Sequence, residues 1–197
     1  QEVELAQYLG VTIQNSLEFA CHIRETAAKA NKRLGFLKRN LKKTPTAVKK
    51  MAYSSLVRSG LEYGSVVWDP YTDSQTKAVE AVQNRAIRWM MGYSPRQRCS
   101  ITKLRAELGL HTLEERRLRQ RLTFFSKVVN GDVVVTTEDL ERQRADQRTR
   151  ANHNCKFSEK RGRTKRLKSS SVYRTIPDWN RLPAQVAEAG SLEIFKS

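Results

Sequence analysis

Residues 20–41, ACHIRETAAKANKRLGFLKRNL, decide the fold. Ile23, Ala27, Ala30, Leu34, Leu37 and Leu41 follow one another at steps of three and four, the spacing that lines one face of an α-helix. Gly35 inside that helix costs about 1 kcal/mol against alanine, which predicts a close crossing element there. Upstream, Leu9, Val11 and Ile13 alternate with Gly10, Thr12 and Gln14, and Asn15-Ser16 offers a turn, so residues 8–19 read as a short hairpin. Downstream, Thr44-Pro45 reads as a cap followed by a first-turn proline. Val48, Met51, Ala52 and Leu56 then form the expected buried face, and Gly60 the stop. Residues 61–71 read as a buried bend. Asp73 is the expected cap of a third helix, with Val79, Val82, Ala86 and Met90 on its core side and Lys77, Arg85 and Arg88 on the opposite one. Gly92 closes it.

A short helix over 99–108 ends at Gly109. Thr112 and Glu115 have the three-residue spacing of a capping box, opening a helix that runs to Asn130-Gly131. Leu118, Leu122, Phe125 and Val129 line its expected core side, while Arg116, Arg119 and Lys127 point away. Residues 141–152 are polar and arginine-rich, a linker or a frayed helix. Residues 160–172 are an exposed hairpin or a loop. From Tyr173 apolar residues return, and Trp179 reads as core because Ile176, Leu182 and Val186 can share its side. The expected fold is therefore mainly α, a helical bundle with a short N-terminal β-hairpin and a basic C-terminal tail region. Its expected divisions are 1–19, 20–131, 132–172 and 173–197.

Of the 197 residues, 39% are apolar and 29% charged, with a net charge of +17. That balance points to a polyanionic partner, above all nucleic acid. Residues 71–130 and 151–175 each hold a net +7 of it. The cluster Lys160, Arg161, Arg163, Lys165 and Arg166 has three open roles: phosphate contact, nuclear-import signal or plain tail. No window approaches the roughly 18 apolar residues of a transmembrane helix, and no apolar leader follows a basic start. The expectation is a nuclear or cytoplasmic chain, neither secreted nor membrane-bound. Gln1 and the ending at Ser197 further suggest a fragment of something longer.

Enzymatic signatures are missing. Cys21, Cys99 and Cys155 are too far apart for a disulfide framework or a zinc site. His22, His111 and His153 have no recognisable nucleophile beside them. No phosphate-cradling Gly-x-x-x-x-Gly-Lys run occurs, and no pair of neighbouring aspartates that could hold two magnesium ions. Neither catalysis nor a cofactor is expected of these residues.

The order of short motifs nevertheless resembles one family. Tyr8-Leu9-Gly10-Val11, His22-Ile23, Lys29-Ala30-Asn31 and Leu34-Gly35 are similar to the stretch just past the catalytic palm of jockey-like non-LTR (LINE) retrotransposon reverse transcriptases. Leu56 to Gly64, Val67-Trp68-Asp69-Pro70, Val82 to Ala86 and Leu113 to Arg117 continue the resemblance. So do Ile176 to Ala184 and Ser191 to Lys196. Residues 131–172 match only in being basic.

The resemblance implies that Tyr8, Leu9, Gly10 and Val11 belong to the primer grip at the end of the palm. It implies that 20–131 form a thumb clamping template–primer, and that the tail engages RNA. The nucleic-acid-binding candidates are Lys29, Lys32, Arg33, Lys77, Arg85 and Arg88, with the five basic residues from Lys160 to Arg166. Implied partners are RNA, RNA–DNA hybrid or DNA, together with the polymerase's palm and fingers. The catalytic aspartates and their magnesium would belong to that palm, so this chain would not polymerise, although its parent would be an RNA-directed DNA polymerase. Lacking a palm, the hairpin is expected to be the least protected element. The rival expectation is a stand-alone basic helical scaffold that binds nucleic acid.

Overall fold

A computed structural model describes residues 4–16, 18–94, 96–133, 153–159, 170–189, 193 and 195. The chain is mainly helical, behind a two-stranded antiparallel hairpin. It divides into two compact units, Gln1–Arg117 and Leu118–Ser197.

Strand β1 (Leu5–Tyr8) pairs with β2 (Val11–Gln14), Tyr8 opposite Val11 and Leu5 opposite Gln14. The turn is Leu9-Gly10 and not Asn15-Ser16. Both residues have positive φ, 44° and 79°, as a two-residue type I′ turn requires. Glycine adopts that region freely, whereas leucine does so at about 1 kcal/mol, so the sequence carried no Asn-Gly signal to mark the turn.

Helix α1 (Ala20–Asn40) buries Ile23, Ala27, Ala30, Leu34 and Leu37 as expected, with Leu41 half-buried beyond its end. Gly35 is not a crossing point: a β-carbon there would meet only the Arg39 guanidinium, at 3.6 Å. Helix α2 (Thr46–Tyr53) runs on through a π-helical turn (Ser54–Arg58) into α3 (Ser59–Glu62). Thr44 does not cap α2; its hydroxyl donates back to the Leu41 carbonyl at 3.0 Å. Nor does Gly60 stop the run, which ends at Tyr63-Gly64.

The expected buried face of this run is also overturned. Val48, Met51 and Leu56 are exposed and Ala52 is half-buried, while Tyr53, Val57 and Leu61 are fully buried. Those three are spaced by fours. In a pure α-helix such a stripe drifts around the cylinder, but the wider π turn keeps it aimed at the core.

A short helix α4 (Ser65–Trp68) occupies the expected bend and buries Trp68, whose indole donates to the Tyr63 carbonyl at 2.8 Å. Helix α5 (Asp73–Met90) buries Val79, Val82, Ala86 and Met90. Its cap is Thr72, whose hydroxyl accepts from the Gln75 amide at 3.4 Å, and Asp73 is its first residue. The same helix buries Gln83, whose amide accepts from the Tyr53 hydroxyl at 2.8 Å and donates to the His111 carbonyl at 2.9 Å. Those bonds satisfy a side chain that would otherwise be costly to bury.

Helix α6 (Ile101–Glu107) precedes Gly109. Helix α7 (Leu113–Val129) opens with both halves of the capping box. The Glu115 amide donates to the Thr112 hydroxyl at 3.0 Å, and the Thr112 amide to the Glu115 carboxylate at 3.1 Å. That backbone bond holds the Glu115 carboxyl below the usual range.

In the second unit Phe125, Phe157, Ile176, Trp179 and Ala187 form a core, with α8 (Ser171–Asn180) and α9 (Ala184–Ala187). Leu122 and Val129 pack against it as expected. Trp179 is core, its indole donating to the Cys155 carbonyl at 2.8 Å. The basic run at 160–169 and the stretch 134–152 lie outside the described residues. No helix among the described residues is long and apolar enough to cross a membrane.

Candidate nucleic-acid interface

The hairpin is held by α1 and by the end of α3. Val11 is buried in the core. The Thr12 amide donates to Nδ1 of His22 at 3.2 Å, and the Cys21 amide donates to Gln14 at 3.2 Å. The Tyr63 hydroxyl donates to the Leu9 carbonyl at 3.0 Å, tying the turn down. A hairpin without a partner is thus not what the chain builds.

These attachments create a cleft of about 170 Å³ lined by Gly10, His22, Thr26, Lys29, Ala30, Arg33, Gly60 and Tyr63. Three sequence-predicted residues, Gly10, Lys29 and Arg33, meet there. Arg33 reaches across from α1 and donates to the Leu56 carbonyl at 3.3 Å, within the π turn. Gly60 leaves the room for it, since a β-carbon at that position would collide with the Arg33 guanidinium. Lys29 lies 3.8 Å from Glu25, an exposed pair worth little and easily exchanged for another anion.

The remaining candidates are dispersed. Tyr8 and Leu9 project into solvent at the hairpin tip, 68% and 73% exposed, whereas Val11 is buried and presents nothing to a ligand. Lys32 and Lys77 are exposed on α1 and α5. Arg85 is exposed, its Nε donating to the Ala81 carbonyl of its own helix at 3.0 Å. Arg88 donates to the Gln97 carbonyl at 2.8 Å. Lys160, Arg161, Arg163, Lys165 and Arg166 lie outside the described residues. Sequence reasoning missed His22, Thr26, Gly60 and Tyr63 as cleft residues. Tyr63 and Gly60 stood inside a quoted motif, but only the fold turns them toward the hairpin.

His22 makes the docking pH-dependent. Because Nδ1 accepts from the Thr12 amide, the ring proton sits on Nε2, which faces the Thr26 hydroxyl at 3.3 Å. The ring is 5.3 Å from Trp68, edge-on. Burial holds its pKa below 6.5, with Glu25 opposing and Lys29 reinforcing the shift. The neutral ring is therefore the folded form. Its contribution is complete above pH 6.5 and is lost as pH falls from there toward the lowered folded value. Hydrogen exchange at the Thr12 amide, corrected for intrinsic rate, is expected to accelerate between pH 7 and 5. His22→Gln should remove that dependence.

The acidic side chains serve the fold. Glu62 pairs with Arg116, Asp69 with Arg117 at 2.8 Å and Glu80 with Arg105 at 3.5 Å. Among the described residues no group of three or more His, Cys, Asp or Glu could hold a metal ion. The donor set thus does not fit a magnesium pair.

Over 113 residues, 56% of this chain, the sequence is 32% identical to the probable RNA-directed DNA polymerase from transposon BS of Drosophila melanogaster. The match spans 12% of that protein's length. No protein-family profile matches the chain, and no solved structure matches it significantly. About half of the chain is accordingly a reverse-transcriptase-related region.

Proposed function

We propose that this chain is the template–primer-holding part of a jockey-like LINE retrotransposon reverse transcriptase. In this reading the turn at Tyr8 to Val11 is the primer grip and the helices to residue 131 are the thumb. Residues 132–172 are a basic linker, and 173–197 close the chain. It clamps RNA or an RNA–DNA hybrid through phosphates. The catalytic aspartates and their magnesium lie in the polymerase palm, so this chain alone extends no primer.

The observation that carries the reading is the cleft where the hairpin turn meets Lys29 and Arg33. A grip must hold a strand end without reading its sequence, which calls for cations on rigid helices beside a fixed backbone turn. An A-form hybrid offers a wide, shallow minor groove suited to a packed helix face.

Fluorescence anisotropy with a 20-base-pair RNA–DNA hybrid tests it. Lys29→Ala with Arg33→Ala should weaken unrelated sequences alike and flatten the salt slope by about 1.5, for two phosphates released. Gly60→Ala should act in the same direction, because it displaces Arg33 without removing a charge. Unchanged binding in the double variant overturns the reading. So does a preference above roughly a thousandfold for one sequence, which marks base readout.

A further inference from the structure

A second group of cations lies on the other flank of α1, away from the cleft. Taking 100° per residue, Lys38 stands about 180° around the helix from Lys29, on the side facing α5. On α5 it faces Arg85, and one helical turn beyond Arg85 comes Trp89. Lys49 of α2 sits over the Trp89 ring, its Nζ 5.7 Å from the centroid. Three helices thus bring three cations around one half-buried indole.

Nothing acidic balances this group. Among the described residues no ion pair involves Lys38, Lys49 or Arg85. Burial, with Arg85 adding to it, holds the Lys38 ammonium below the usual lysine range. Like charges brought together on a folded surface destabilise it unless an anion joins them.

We infer that Lys38 and Arg85 form a second phosphate site, taking a backbone phosphate of a nucleic-acid strand beside the Trp89–Lys49 pair. Cations flanking an aromatic face are the arrangement that holds single strands without reading their sequence. The site rests on the nucleic-acid reading above but is separate from the cleft. A strand held on the α5 flank of α1 passes on the opposite side from one seated at Lys29 and Arg33.

The experiment uses the full chain, with a 20-nucleotide oligouridine RNA and with inorganic phosphate as separate probes. Trp68 and Trp179 are fully buried, so a surface ligand should change the emission of Trp89. RNA should quench that emission saturably, and Trp89→Phe should abolish the signal. Lys38→Gln with Arg85→Gln should flatten the salt slope by about 1.4. Lys38→Glu supplies the missing carboxylate, so it should raise Tm while weakening RNA binding, a combination a merely structural lysine would not give.

Unchanged slope and emission in the Gln pair overturn the site. So does displacement of the RNA by millimolar inorganic phosphate, which would mean a free-phosphate pocket. If only the Lys29 and Arg33 variants weaken binding, the cleft reading stands and this one falls. If only the Lys38 and Arg85 variants do, the outcome is reversed.

Discussion

Replacing Arg117 by alanine is expected to cost the fold about 3–5 kcal/mol, the range for breaking a buried ion pair by removing one partner. The Arg117 side chain is 1% exposed and that of Asp69 7%, with Nε donating to Oδ1 at 2.8 Å. Truncation removes the guanidinium from a carboxylate that water scarcely reaches. Total stability of a domain is about 5–15 kcal/mol, so the loss would consume a large share of it. Urea unfolding followed by circular dichroism reads this directly. Arg117→Leu with Asp69→Leu should recover much of the loss, because apolar side chains can fill a dry pair's place. A loss below about 1 kcal/mol in the alanine variant is the value of an exposed pair and would contradict the arrangement.

The second large effect is on affinity for RNA. With a net charge of +17, binding should proceed by releasing counterions from phosphates. If about six phosphates are engaged, log K falls with log salt at a slope near −4 on single strands and −5 on B-DNA. Between 50 and 200 mM salt that slope removes roughly 250-fold of single-strand affinity. Replacing Lys160, Arg161, Arg163, Lys165 and Arg166 together by alanine should flatten the slope and weaken all sequences alike. A binding constant indifferent to salt would refute phosphate recognition.

Helices with regular spacing were legible. Ile23 to Leu37 and Val79 to Met90 bury the faces their periodicity indicates, and the Thr112–Glu115 box forms as its spacing requires. What escaped was set by tertiary contacts. The hairpin turn hid because its first residue is Leu9, a poor left-handed residue held in place by Tyr63. The buried arginines hid because arginine is ordinarily a surface residue. Arg117 and Arg121 are interior because Asp69 and Asp178 wait for them, and neither aspartate is near in sequence. The cleft was half legible: Gly10, Lys29 and Arg33 were candidates, but only folding brings them to Gly60 and Tyr63.

The π turn at Ser54–Arg58 has a consequence for sequence length. One extra residue in a helix rotates everything after it by about 100°, and the widened turn absorbs that rotation locally. Deleting Ser55 would therefore restore an ordinary helix at the expense of its far end. Leu61 would swing off the core, Gly60 would leave its place under Arg33, and Tyr63 would lose its line to Leu9. A relative one residue shorter at this point would have to bury a different stripe downstream. A substitution can be tolerated in this segment where a deletion cannot, and an alignment gap placed here would misassign every cleft residue that follows it.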